Sequence, residues 1–263
     1  MRPKPDWADD PQETIVRYRL LVAYDGGAFA GWQYQPKLPT VQGALESALE
    51  RLCKHPVTIM GAGRTDSGVH ATGQLAHFQT NRPRPVKTFL KALNATTPRT
   101  MSVLDVQQVP AEYNARYTAF FREYHYRLSD APVPCPLERN RLWHLGPERL
   151  DDGAMSEALK TLLGKHDFSA FRASSCQAKT PIKVMQKLEL VRSGNELTIT
   201  IGANAFLHHM VRNIVGSLVM VGQKRWPVEQ MEAVLKGRDR ELAGPTAPAH
   251  GLYLIKVLDG YSP

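Results

Sequence analysis

The sequence predicts an α+β protein built from two ferredoxin-like (RRM-like) β-α-β-β-α-β halves, with a central cleft between mixed or antiparallel sheets. Three observations carry this. The hydrophobic period switches repeatedly between two residues and about 3.6, so strands and helices alternate. Residues 15–109 give the order strand, helix, strand, strand, helix, strand. Residues 116–258 give that order again, with one extra short helix near 227–236.

Each element has a local reason. "IVRYRLLVAY" (15–24) is apolar and β-rich, and reads as a buried strand. The turn-rich "DGGAFAGWQYQPKLP" (25–39) follows. Thr40 is a candidate N-cap for a helix over 41–54, whose Val41, Leu45, Ala48, Leu49 and Leu52 share one face. "VTIMGAG" (57–63) and "GQLAHFQT" (73–80) read as strands on either side of a polar loop. A helix over 86–96 and a strand over 101–109 complete the first half. In the second half, 116–129 alternates as one long strand, and 150–165 is a helix starting near Asp151 or Asp152. Residues 184–203 form a hairpin turned at Ser193, Gly194 and Asn195. Helices over 206–222 and 227–236 and a strand over 252–258 finish the chain. The expected division is a loose tail over 1–13, a first half over 14–113 and a second over 114–263.

Charge narrows the partner. The 33 Lys and Arg against 25 Asp and Glu leave a formal +8, which favours a polyanion such as nucleic acid. Cys53, Cys135 and Cys176 are far apart and form no C-x-x-C pair. No zinc ribbon or thioredoxin-type site is signalled, and a reducing, cytoplasmic setting fits. The first residues carry charges and prolines where a secretory signal would be apolar. The run 205–222 holds two histidines, an arginine and an asparagine, too polar for a membrane span.

The chemistry concentrates in "GAGRTDSGVHATGQ" (61–74), where Gly61, Gly63 and Gly68 surround Arg64 and Asp66. It reads as a solvated surface turn or as an active-site loop built on one carboxylate. A dinucleotide fingerprint needs a third glycine where Asp66 stands, and a helix where a strand follows. No histidines have H-E-x-x-H spacing and no G-x-S-x-G is present. A retaining glycosidase needs two close carboxylates, and the loop offers one. A carboxylate beside an arginine stays ionised and suits a nucleophile or base. Arg64 points to the side of Asp66 if the loop is locally extended. On the 206–222 helix, Phe206, Met210, Ile214 and Leu218 form an apolar stripe. Arg212 lies off that stripe with His208, at i and i+4. In "FREYHYRL", Tyr124 and Tyr126 face one side of a strand.

These stretches resemble the tRNA pseudouridine synthase A family. The run G-R-T-D-x-G-V-H-A carries the likeness, with "AYDGGAFAGWQYQP" upstream and "FLHHMVRNIVG" downstream. "TVQGALESAL", "NARYTAFFREYHYRL", "GKHDFSAF" and "APAHGLYLIKV" follow the family in the same order, so the likeness spans nearly the whole chain. Ser67 stands where alanine is usual, "NATTPRTMSV" replaces an L-P-x-D-I stretch, and Asn114 stands where histidine is common.

The resemblance implies an isomerase that turns uridine into pseudouridine in the tRNA anticodon arm, at positions 38–40. The reaction leaves no net redox change, so it implies no cofactor and no metal. It implies Asp66 as the catalytic carboxylate, attacking C1′, attacking the uracil ring or taking a ribose proton. It implies Arg64 in RNA positioning, Arg212 beside the carboxylate, Tyr124 stacked on the flipped uracil and Leu252 packed near the base. It also implies a homodimer whose subunits share one tRNA. Lys37, Arg82, Arg84, Lys87, Lys179 and Lys183 are candidate phosphate contacts. The other reading is a catalytically silent RNA-binding or RNA-chaperone module on the same fold, in which Asp66 has no task.

Overall fold

The computed structural model describes residues 15–261, and the expected N-terminal tail over 1–13 lies outside them. No helix among the described residues is long and apolar enough to cross a membrane. The chain divides into two compact units. One runs to Ala119 and takes in the chain from Lys256 onward; the other is Phe120–Ile255.

In the first unit, β1 (Val16–Tyr24) lies between β3 (His70–Thr80) and β4 (Met101–Val109), antiparallel to both. The short β2 (Met60–Gly61) pairs with β3. The order β4-β1-β3-β2 is that of the split βαβ plan. Helix α1 (Val41–Cys53) starts where Thr40 Oγ1 accepts the Gly43 N–H at 3.2 Å. Helix α2 (Val86–Thr96) buries Phe89 and Leu93. Phe89 closes a ring cluster with Tyr18 and Phe78, at centroid separations of 4.6, 5.2 and 5.3 Å. The end of the chain is tied to β1. Buried Arg19 Nε donates to Asp259 Oδ2 at 2.9 Å, and the Tyr113 hydroxyl donates to the same oxygen at 2.6 Å.

Two first-half boundaries move, for identifiable reasons. The strand expected over 57–63 contracts to two residues. Ile59 is buried, but its backbone bonds α1 instead of a strand. Its N–H donates to Glu46 Oε1 at 3.1 Å and its carbonyl accepts from Gln42 Nε2 at 3.4 Å. Side chains thus do what a ladder would do. β3 begins at His70, three residues before the expected start, so the polar loop is shorter than its sequence suggests.

In the second unit, β5 (Phe121–Ser129), β9 (Glu196–Ala203), β8 (Ile182–Ser193) and β7 (Gly164–Asp167) are successive antiparallel neighbours. β6 (Trp143–His144) runs parallel to β5, and β10 (Leu252–Leu258) is also a neighbour of β5. Counting β5, β8, β9 and β10 as first to fourth, the order is again 4-1-3-2. Helices α4 (Asp152–Lys160), α5 (Met210–Gly222) and α6 (Gln230–Gly237) accompany this sheet.

Here too the expected spans are corrected. The long strand over 116–129 begins at Phe121, because Asn114 caps a short helix, α3 (Ala115–Thr118), by accepting the Arg116 N–H at 3.1 Å. The helix over 150–165 ends at Lys160, and Gly164, with φ +98, turns the chain into β7. The helix expected from 206 starts at Met210, since His209 takes a left-handed φ of 62 that no helical turn allows.

His77 on β3 gives the fold a pH signature. It is buried, and its Nδ1 accepts the Ala115 N–H at 3.2 Å. Burial, and then the Arg17 charge, push its pKa down to about 4. The unfolded chain protonates it below about 6.5. Between those values the unfolded state binds more protons, so stability falls as pH drops, by up to about 3 kcal/mol. Urea melts at pH 7 and pH 5 should show about 2 kcal/mol of this loss, and His77→Asn should flatten it. An unchanged pH dependence in the variant would assign the loss elsewhere.

Candidate active site

Asp66 stands on the turn between β2 and β3. Its carbonyl accepts the Val69 N–H at 3.2 Å, and Gly68, third in the turn, has φ +81. That is the type II pattern, which only a residue free to adopt positive φ satisfies well. The turn is held from behind by Thr65, which is buried. The Thr65 hydroxyl lies 2.8 Å from the Tyr24 hydroxyl, and its carbonyl accepts the Trp32 N–H at 3.0 Å. Burial pushes the Tyr24 hydroxyl up to about 12, so it stays protonated at neutral pH. Gln74 on β3 is fully buried and donates from Nε2 to the Gly63 carbonyl at 2.8 Å. Gly31 has φ +97, and a Cβ there would meet the Thr65 carbonyl at 2.8 Å. A Cβ on Gly61 would meet the Trp32 indole at 2.6 Å. Backbone close approach and buried hydrogen bonds therefore fix the Asp66 main chain at the end of a sheet.

Arg64 behaves differently from the expectation. It is exposed while Asp66 is half-buried, and it forms no ion pair among the described residues. The expected Arg64–Asp66 pairing is not made. A long side chain left in solvent gains little from an adjacent carboxylate, so its own freedom wins.

Tyr124, Arg212 and Leu252 belong to the second unit. Tyr124 and Tyr126 share a face of β5, and both are buried. The Tyr124 ring meets Phe206 edge-on at 5.1 Å. Tyr126 is core, with its hydroxyl donating to the Pro248 carbonyl at 2.8 Å. Burial holds that hydroxyl well above its ordinary pKa, and the nearby Arg212 charge opposes the shift. Arg212 lies in the first turn of α5. Its Nε donates to the Ala247 carbonyl at 2.7 Å, and the Ala247 N–H returns to the Arg212 carbonyl at 3.1 Å. Gly251 lies against the Tyr126 ring, which a Cβ would meet at 2.7 Å. Buried Leu252 follows at once. One segment, 247–252, is thus gripped by Arg212 from α5 and by Tyr126 from β5. The i and i+4 relation expected between His208 and Arg212 fails, because His208 precedes the helix. Its Nδ1 instead lies 3.1 Å from Ser175 Oγ.

The sequence reading missed the residues that hold this segment. Asn213 is fully buried. Its Nδ2 donates to the Phe171 carbonyl at 2.9 Å, and its Oδ1 accepts from the Thr246 hydroxyl at 2.7 Å and Arg240 Nη2 at 3.3 Å. Ser217, one turn on, donates to the Asn213 carbonyl and accepts the Gly244 N–H, both at 2.9 Å. Gly216 leaves room for the Pro245 carbonyl, which would sit 1.6 Å from a Cβ. A polar residue amid an apolar helix was the available signal; its partners were not readable. Asn213→Ala strands the Phe171 carbonyl, leaves the Thr246 hydroxyl without its acceptor and removes one bond from Arg240. It should lower stability by about 2–4 kcal/mol in urea denaturation, against about 0.5 kcal/mol or less for an ordinary surface change.

Comparison with known proteins covers both units. The tRNA pseudouridine synthase family pattern matches residues 20–118 and 158–258. The chain is 48% identical over 244 residues to tRNA pseudouridine synthase A of Xanthobacter autotrophicus, covering 92% of this chain and 99% of that one. It is 49% identical over 244 residues to tRNA pseudouridine synthase A of Paramagnetospirillum magneticum, covering 92% and 95%. With the Asp66 turn and the Arg212 segment both inside the matched stretches, the chain belongs to the tRNA pseudouridine synthase family.

Proposed function

We propose that the protein isomerises uridine to pseudouridine in tRNA, with Asp66 as its catalytic carboxylate. The observation that carries this is the turn itself: one half-buried carboxylate whose main chain is fixed by Thr65, Gly68 and Trp32. In the reaction the N1–C1′ bond breaks, the uracil turns and C5 bonds to C1′. C5 loses a proton and N1 gains one, so no oxidant or reductant is consumed. Such chemistry asks the protein for a base or nucleophile and for placement.

The target base is stacked in folded RNA and has to be extruded before the carboxylate reaches it. In this reading Tyr124 supplies the stacking face, with Phe206 bracing its edge, which is worth on the order of 1–3 kcal/mol per base. Arg212 supplies a fixed positive charge aimed by the Ala247 carbonyl, and Leu252 packs near the base. Arg64, exposed and unengaged by any acid among the described residues, is available to RNA phosphate. The finer form of the reading is modification at positions 38–40 of the anticodon arm by a cytoplasmic homodimer.

An unmodified tRNA transcript, with no cofactor added, tests it. Carbodiimide mapping should find pseudouridine in the anticodon arm after incubation with the wild type. Asp66→Asn should abolish product while tRNA binding stays within about three-fold, as expected when a group acts in the transition state and not in ground-state binding. Turnover retained in Asp66→Asn would sink the assignment of Asp66. Binding without product by the wild type, across several transcripts, would sink the isomerase.

A further inference from the structure

We infer that the first unit carries a second RNA-backbone contact at the end opposite Asp66, formed by Arg51, Lys54, Arg82, Arg84 and Lys87. This deepens the functional reading above and rests on it. Residues 67–104 contain no Asp or Glu but hold Arg82, Arg84, Lys87, Lys91 and Arg99. All five of these cations are exposed, and none forms an ion pair among the described residues. The same is true of Arg51 and Lys54 at the end of α1.

The fold gathers five of them where α1 ends, β3 ends and α2 begins. Arg84 Nη2 donates to the Leu52 carbonyl at 3.4 Å. The Arg82 N–H donates to Thr80 Oγ1 at 3.0 Å, and that hydroxyl lies 2.9 Å from His55 Nε2. The charges of Arg84 and Arg82 both reach the Cys53 thiol. α2 has no side-chain cap, so its first N–H groups add partial positive charge to the same end. Exposed Glu50 on the last turn of α1 forms no ion pair with them among the described residues, so five cations beside this one acid leave an excess of positive charge, and the ligand it fits is a polyanion. Val86 is the one large apolar side chain exposed among 80–91, so the patch offers a bilayer little to insert. Phosphodiester backbone is the better match.

Position gives the patch its consequence. β3 runs from His70 to Thr80. At about 3.3 Å per residue its ends lie on the order of 30 Å apart. Asp66 precedes the first residue and the patch surrounds the last. At roughly 3.4 Å of helix axis per phosphate on one strand, that span is on the order of nine base-pair steps of a nucleic-acid helix, so the patch holds RNA far from the reacting uridine. It therefore favours long RNA over short.

The test compares a full tRNA transcript with an anticodon hairpin too short to span that distance. The triple variant R82Q/R84Q/K87Q should raise KM for the tRNA about ten-fold. It should also reduce the slope of log affinity against log salt by about two, near the loss expected for three phosphate contacts. The effect on the hairpin should be several-fold smaller, and the melting temperature should hold. Equal losses on both RNAs, or an unchanged salt slope, would overturn the inference. So would wild-type binding to anionic phospholipid vesicles in preference to tRNA. A wild type that makes no pseudouridine in either RNA fails the functional reading instead, and the salt slope of tRNA binding then decides the patch alone.

Discussion

The position of Asp66 depends on a buried threonine. Thr65 turns its hydroxyl to Tyr24 and its carbonyl to the Trp32 N–H, so the next residue has one place to stand. Everything around the turn follows from admitting that contact. Gly31 passes so close that a Cβ on it would lie 2.8 Å from the Thr65 carbonyl, and it takes φ +97 to do so. Gly61 has to lie under the Trp32 indole. Gly68 has to close the turn at φ +81. Gly63 is different: nothing lies within 4 Å of a Cβ there, and only its carbonyl is held, by Gln74. Gly31 and Gly61 answer steric demands set by one threonine and one tryptophan, Gly68 answers the φ of the turn, and Gly63 marks an edge.

The second unit solves a related problem with a helix. α5 is buried on nearly every side, as a helix apolar all round must be. Its departures from apolarity are Arg212, Asn213, Gly216, Ser217 and the terminal Gly222, and the first four touch residues 240–247. Gly216 and Gly244 let two backbones approach, and Asn213 and Ser217 satisfy the polar groups this approach buries. The segment held this way then receives Arg212 at Ala247 and Tyr126 at Pro248. A helix face made of small and polar residues thus converts a loop into a fixed support for Arg212 and Leu252.

The overall plan was legible because it rests on periodicity. The 4-1-3-2 order recurs in both units, as the alternation of strand and helix patterns implied. What was not legible had one common cause: a non-local partner outweighed local pattern. Ile59 looks like a strand residue, but Gln42 and Glu46 take its backbone bonds. "FLHH" continues a helical pattern, but His209 breaks it with a left-handed φ. Residues 116–118 alternate like a strand, but Asn114 caps them into a helical turn. At the site, residue types could be read and pairings could not. Arg64 was the obvious partner for Asp66 by spacing and is left in solvent. Tyr24, Trp32 and Asn213 were given no structural role, and they hold the backbones from which Asp66 and Arg212 project.

That division has a chemical sense. An isomerisation with no net redox change can be accelerated by placement and fixed charge. Placement is a property of backbones and of the buried polar atoms that lock them. A residue that performs such a role carries no motif of its own. Thr65 and Asn213 would be ordinary in any core, and only their partners make them specific. In the proposed reaction the carboxylate and the arginine act as chemical groups, which is why they are recognisable in sequence. Their supports are recognisable only in three dimensions, because the reaction needs where they put things. It follows that functional loss in this chain is not confined to its charged loop. A methyl group on Gly31 or Gly216 changes no charged side chain, yet it displaces the backbone packed beside the Asp66 turn or the 244–247 segment.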